Sequence, residues 1–210
     1  MQLNEILVRI ITPVIAVGFI LNCGGGGSGS GGETTQTSPA PVLTLHYTEN
    51  PNSNASSWRL VADPVASTPS KLVLNLYAPI GQKIQGATLF LSVSDEMVAW
   101  ARPEGAVDPF VKPGPGMNLA LGSDPSIQMI QGHVDTLNNL SNLQVAVYQK
   151  SIPVANNSEN SIMSISLTKK TGSTSGPVTL VQTPGKASLY LGEGGVILPC
   201  NLLIGGLSIQ

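Results

Sequence analysis

Charge is scarce in this chain: 10% of its 210 residues are Asp, Glu, Lys or Arg, they sum to −2, and the basic ones gather nowhere. A nucleic-acid partner leaves a footprint of clustered Lys and Arg, so that class is excluded. Histidine is nearly absent as well. His46 and His133 stand far apart and neither neighbours a cysteine, whereas a zinc site needs three or four ligands in set spacing. Both read as surface or partly satisfied strand residues, and no metal is assigned. The 12 acidic residues are spread thinly, with Asp95-Glu96 at a corner and Glu104, Asp108 and Asp124 between strands. Glycoside hydrolysis needs two carboxylates flanking one cleft, and these read instead as solvated turns and caps. A calcium site drawn from Asp95, Asp108 or Asp124 is conceivable, but the alternation of oxygen ligands seen in an EF-hand loop is missing. A Gly-x-Ser-x-Gly nucleophile turn is also missing. No catalytic residue and no cofactor are therefore assigned, and the chain reads as a non-enzyme.

Aromatic residues make up 4% of the chain. Beyond Phe19 they are Tyr47, Trp58, Tyr77, Phe90, Trp100, Phe110, Tyr148 and Tyr190. Binding a polysaccharide on a flat platform takes two or three coplanar rings on one face. Tyr77 and Tyr148 fall on the polar phase of their strands and are the candidate ligand-contact residues, pointing outward together. The alternative is that they pack at the rim with the hydroxyl wet. Trp100, two residues after Val98, is expected in the core.

What the chain does have is an address. Arg9 precedes an apolar run from Ile10 to Leu21, which ends at Asn22-Cys23 and the tract Gly24 to Gly32. The run is about a dozen residues, well short of the roughly 20 that span a bilayer as a helix, and has the form of a secretory signal. Ile20-Leu21-Asn22-Cys23 resembles the signal end of bacterial lipoproteins, with the aliphatic residue and the cysteine in place and Asn22 where a small residue is usual. Glu5 likewise departs from the basic start usual there. The resemblance implies diacylglyceryl transfer to the Cys23 thiol, acylation of its freed amino group, and attachment to a lipid bilayer. Each buried methylene adds about 0.8 kcal/mol of membrane affinity, so several chains hold a soluble domain firmly. Gly24 stands where aspartate would resemble an inner-membrane retention signal, so the expected destination is the outer membrane, on its periplasmic or cell-surface side. The expected organisation is a signal peptide at 1–22, lipidated Cys23 with a flexible Gly/Ser/Thr linker at 23–40, and one domain at 41–210.

Cysteine is as sparse as histidine, with two in all. Once Cys23 is acylated, Cys200 has no partner within the chain. Its neighbours Val196, Ile197, Leu198, Leu202 and Leu203 suggest a buried small hydrophobe. An intermolecular disulfide is the alternative.

From Val42 onward the apolar period is two. Leu72, Leu74 and Leu76 alternate with Lys71, Asn75 and Tyr77; Leu89, Leu91 and Val93 with Thr88, Ser92 and Ser94; Leu143, Val145 and Val147 with Asn142, Gln144 and Tyr148. Met163, Ile165 and Leu167 oppose Ser164, Ser166 and Thr168, and 178–182, 187–191 and 202–209 add further strands. Such alternation buries one face of each strand. A helical turn or two is expected only at 95–100 and 124–129. Pro- and Gly-rich punctuation at 78–81, 112–116, 172–177 and 183–185 separates the strands. Two half-apolar sheets must cover each other, so the expected fold is all-β, a two-sheet antiparallel sandwich, with a closed barrel as the competing solution.

The runs 71–78, 84–95 and 97–100 resemble the opening strands of a cohesin-type domain, in which a glycine-marked strand curves before an aspartate corner. Asn118 to Gly122 and Leu143 to Lys150 are similar to its next pair of strands, Ile162 to Leu167 to the one after, and Leu203 to Leu207 to its closing strand. The resemblance implies a jelly-roll sandwich shared with carbohydrate-binding modules. It also implies a non-enzymatic binding module that docks a protein, or alternatively a polysaccharide, on a flat sheet face or an edge. The stretch Val42 to Ser70 has no counterpart in that pattern.

Overall fold

Leu72, Leu74 and Leu76 pair across the sheet with Leu167, Ile165 and Met163, so three apolar rungs face one way while Asn75 and Ser164 face the other. The computed structural model describes residues 42–117, 127–150, 154–155 and 160–210, and its strands follow this logic throughout. They are β1 (Leu45–Thr48), β2 (Trp58–Ala62), β3 (Lys71–Tyr77), β4 (Lys83–Ser94), β5 (Val98–Ala101) and β6 (Lys112–Pro113). Next come β7 (Ile127–Leu137), β8 (Leu140–Gln149), β9 (Val154–Ala155), β10 (Met163–Lys169) and β11 (Gly176–Val178). The last are β12 (Leu180–Gln182), β13 (Leu189–Gly192), β14 (Ile197–Pro199), β15 (Leu202–Leu203) and β16 (Gly206–Ile209).

Two large sheets form the sandwich. One has six strands in the order β15-β2-β3-β10-β5, with β6 also on β10; the other has seven in the order β14-β13-β4-β8-β7, with β12 and β9 also on β4. A third, β1-β16-β11, joins the two ends of the domain. Pairing is antiparallel except between β15 and β2. The inner faces meet in one apolar core that includes Leu60, Leu74, Ile165 and Leu167 from the first sheet and Leu89, Leu91, Leu143 and Val145 from the second. Trp100 lies in it as expected, and its indole N–H donates across the sandwich to the Ser141 carbonyl at 2.9 Å, which satisfies the one polar atom the ring carries inward.

Several local expectations are corrected. Asp95–Met97 is a tight turn and Val98–Ala101 a strand, because Val98 and Trp100 alternate inward rather than forming a helical stripe. Ile127 to Met129 begin strand β7; Asp124 lies outside the described residues. Besides β4, β8 pairs with β7 at 127–137, and the segment 118–122 also lies outside the described residues. The turn joining these two is Asn138-Asn139, with φ of 53° and 60°. Asn tolerates that left-handed pair, and it matches the twist of a two-residue hairpin. The stretch 202–209 is two strands in different sheets. They part at Gly205, where a Cβ would collide with the Thr48 carbonyl and where the backbone N–H instead donates to Tyr47 Oη at 2.7 Å. The stretch 178–182 is likewise divided between β11 and β12.

Cys200 is buried, and its N–H donates to the Ser188 carbonyl at 2.8 Å. Burial pushes its thiol up to about 12 from 9.0. The folded chain therefore keeps this proton where the unfolded chain loses it. Stability is full below pH 9 and falls between 9 and 12, by at most about 1.4 kcal/mol per pH unit. Urea unfolding at about pH 8 and about pH 10 should show the wild type losing about 1 kcal/mol more than Cys200→Ala. Parallel losses in the two proteins would place the thiol in contact with water.

Candidate functional site

The outer face of the seven-stranded sheet is built from the other phase of the same strands. Directly opposed residues define rows that cross it. Met129, Tyr148, Gly86, Leu191 and Ile197 make the first, on β7, β8, β4, β13 and β14 in turn. Tyr148 lies down across this row: a Cβ on Gly86 would collide with its ring, and its hydroxyl sits 2.9 Å from Thr88 Oγ1. Glycine on β4 thus makes room for a flat aromatic ring on the sheet, and the Thr88 bond fixes it there. Met129 is 39% and Ile197 64% exposed. The second row runs Gln131, Ala146, Thr88, Leu189 and Pro199, and the third Gln144 and Phe90 beside His133. The Lys186 ammonium stands 5.4 Å from the Phe90 ring centre.

The fourth row is polar and hydrogen-bonded from strand to strand. Asn142 Nδ2 donates to Asp135 at 2.8 Å, Ser92 Oγ lies 2.6 Å from Asn142 Oδ1, and Thr183 Oγ1 is 3.0 Å from Ser92 Oγ. The face therefore grades from an apolar row at one end to a saturated polar relay at the other. Its Asp135 and Lys186 are of opposite sign, so the face carries little net charge.

Its two edges differ. At β14, Val196, Ile197 and Leu198 are exposed, and Ile80 stands exposed on the loop before β4. Cys200 N and Val196 O both bond inward, so alternation turns Ile197 and Pro199 outward. Proline has no N–H to offer there, which blunts this edge against pairing by another strand. At β7 the edge is covered from the segment between β5 and β6. Asp108 Oδ2 accepts the Gly132 N–H at 2.8 Å, while Oδ1 accepts from Phe110 at 2.7 Å and Val111 at 3.1 Å.

Tyr77 stands on β3 of the other sheet, facing away from the core, with the Arg59 guanidinium 5.0 Å from its ring centre. Tyr77 and Tyr148 both point outward, but from different sheets whose inner faces meet, so no single flat ligand spans them. Period-two alternation distinguishes in from out and is blind to which sheet a strand joins. Of the other residues singled out, Asp95 accepts from the Lys170 ammonium at 2.9 Å and Asp108 accepts from three backbone N–H groups. Among the described residues no three His, Cys, Asp or Glu side chains gather into a metal-binding group. His133 is exposed on the candidate face and His46 is exposed on β1. Cys23 lies outside the described residues. The row ending at Ile197 was not foreseen. Its sequence signal is the apolar residue left on the outward phase of β13 and β14, at Leu189, Leu191 and Ile197.

No family model and no curated protein matches the chain. Solved structures similar to it include a type II cohesin domain from the cellulosome of Acetivibrio cellulolyticus, 12% identical over 72% of this chain and 94% of that one, with a TM-score of 0.46. The sixth cohesin of scaffoldin B from the same organism, solved in complex with a Cel5 dockerin variant, is 10% identical over 71% and 96%, with a TM-score of 0.44. A cohesin module from a Clostridium perfringens family 33 glycoside hydrolase is 10% identical over 80% and 94%, with a TM-score of 0.39.

Proposed function

We propose that this chain is a non-enzymatic binding module, held on the outer membrane by lipid on Cys23, that docks a protein partner on the outer face of its seven-stranded sheet. The observation that carries the reading is the row Met129, Tyr148, Gly86, Leu191, Ile197. It offers exposed apolar surface and a pre-oriented tyrosine at one end of a sheet face whose other end carries the polar relay at Asp135, Asn142 and Ser92. Exposed apolar residues beside an aromatic anchor are the kind of surface that protein interfaces bury. Fixing the ring in advance lowers the ordering cost of association. The carboxylates of Asp63, Asp95 and Asp108 are engaged in hydrogen bonds within the fold, which supports the non-enzymatic reading. Attachment to the bilayer is supported by the apolar run, the cysteine and the Gly/Ser tract that follows it.

Aspartates at both ends of the row, in a Met129→Asp/Ile197→Asp variant, should lower affinity for the partner at least about tenfold. The urea midpoint should hardly change, since exposed substitutions cost under about 0.5 kcal/mol. A photo-cross-linker at Gln131, on β7 one row from Met129 on the same face, should capture the same protein that the double variant fails to retain. A cross-linker at Thr68, on the six-stranded side, should not. Undiminished retention by the double variant would remove this face from the interaction.

A further inference from the structure

The six-stranded sheet carries on its outer face a groove of ≈ 580 Å³ that the protein-docking face does not use. Asn75 on β3 and Ser164 on β10 are directly opposed and form its floor, and Tyr77 lines it two residues further along β3. One wall is the β2–β3 loop at Asp63, the other the segment 103–115 that leads to and from β6. That second wall is pinned. The Gly114 and Gly116 N–H groups donate to the Ile162 and Ser161 carbonyls, each at 2.8 Å, and Lys112 Nζ donates to the Glu104 carbonyl at 2.9 Å. A Cβ on Gly114 would collide with Ser161, so glycine is what lets the wall sit this close. The groove is thus built without a ligand in it.

Its floor is an oriented relay. The Ala66 N–H chiefly holds the Asp63 carboxyl below the usual carboxylate range, with Asn75 and the Val65 N–H adding to it, although partial burial opposes them. The ionised Asp63 accepts from Asn75 Nδ2 at 3.0 Å, and this settles which end of the amide is the nitrogen. Asn75 Oδ1 then accepts from Ser164 Oγ at 2.6 Å. Ser164 has given its one hydrogen away, so its oxygen offers lone pairs only, while Nδ2 has a second hydrogen to give. An acceptor and a donor therefore stand side by side on the floor.

Ligand classes separate on these facts. Asp63 already receives three hydrogen bonds and cannot serve as a bare cation ligand. One lysine, tied to the Glu104 carbonyl and accompanied by two carboxylates, makes no anion site. A peptide group donates and accepts on separate atoms. A hydroxyl does both on one atom, which suits a donor and an acceptor standing this close together. Tyr77 adds a ring whose face suits the C–H side of a pyranose.

We propose that this groove binds a neutral, hydroxyl-rich ligand of the saccharide class, with one ligand hydroxyl donating to Ser164 Oγ and accepting from Asn75 Nδ2, and a sugar ring lying against Tyr77. The test follows the Asn75 side-chain amide by NMR in the full-length, nitrogen-15-labelled protein during titration with maltopentaose, cellopentaose, mannopentaose and xylopentaose. At least one sugar should move that resonance saturably, with a Kd at or below about 1 mM. Ser164→Ala should weaken binding at least about tenfold, because Asn75 Oδ1 loses its donor and the ligand hydroxyl its acceptor. Tyr77→Leu leaves the relay intact and should weaken binding similarly, which keeps the test decisive if Ser164→Ala fails to fold. An Asn75 amide that stays silent to all four sugars, or binding indifferent to both variants, overturns the proposal.

Discussion

Replacing Asp108 by alanine is expected to lower unfolding free energy by about 3 kcal/mol and to make the protein self-associate. One carboxylate accepts three backbone N–H groups, from Phe110, Val111 and Gly132. Two of these hold the local turn, and the third belongs to the edge strand β7. A hydrogen bond to a charged group contributes about 1.5–3 kcal/mol, and a donor left unpaired in a partly buried site costs about 1–3 kcal/mol. The three losses share one side chain and are not additive. The second consequence comes from the position of Gly132. β7 is 11 residues long and, among the described residues, pairs with β8 alone. Asp108 reaches over its middle and lies so close to Gly132 that a Cβ there would collide with it. Without that cover the strand presents a run of unpaired N–H and C=O groups, the template on which a second chain adds. Urea denaturation followed by tryptophan fluorescence reads the first effect, and light scattering against concentration reads the second. Asp108→Asn keeps an acceptor oxygen and should recover part of the stability. An Asp108→Ala protein with the wild-type midpoint would mean that water replaces the carboxylate at all three donors.

Cys23→Ser is expected to move the protein from the membrane pellet to the soluble fraction while leaving the 42–210 fold untouched. The thiol is the group that takes the diacylglyceryl chain, and serine in its place leaves no acceptor for thioether formation. Two or three acyl chains separate stable anchoring from the marginal, reversible binding that one chain gives. Among the described residues no helix is long and apolar enough to cross a membrane. Fractionation of cells expressing each form, with a high-salt wash, measures it. Serine protein that stays in the washed pellet, still at the mass of the uncleaved chain, would mean that the apolar run 10–21 is retained as the anchor. Pelleting at the cleaved mass would point to attachment through the domain.

The strand β7 was not legible in the sequence, whereas the inward phase of β3, β4, β8 and β10 was, because burial against an apolar core imposes a period of two on each strand separately. That is why Leu72, Leu74, Leu76, Leu143, Val145 and Val147 and the core tryptophan Trp100 are where alternation put them. The same local rule put Tyr77 and Tyr148 on outward phases. It also misread 95–100, where four strand residues are too few to distinguish a period of two from a helical turn. Sequence alternation carries no information on which strand neighbours which, since that depends on pairing across long separations. Tertiary structure alone set Tyr148 against Gly86 and Tyr77 on the opposite sheet, 60 residues and more bridged by hydrogen bonds such as Thr88 to Tyr148 and Asn75 to Ser164. It likewise brought Asp108 to Gly132 and Asp63 to Asn75. A lone aspartate in a loop looks the same whether it is solvated or closes an edge, and what decides is the donor that the fold carries to it.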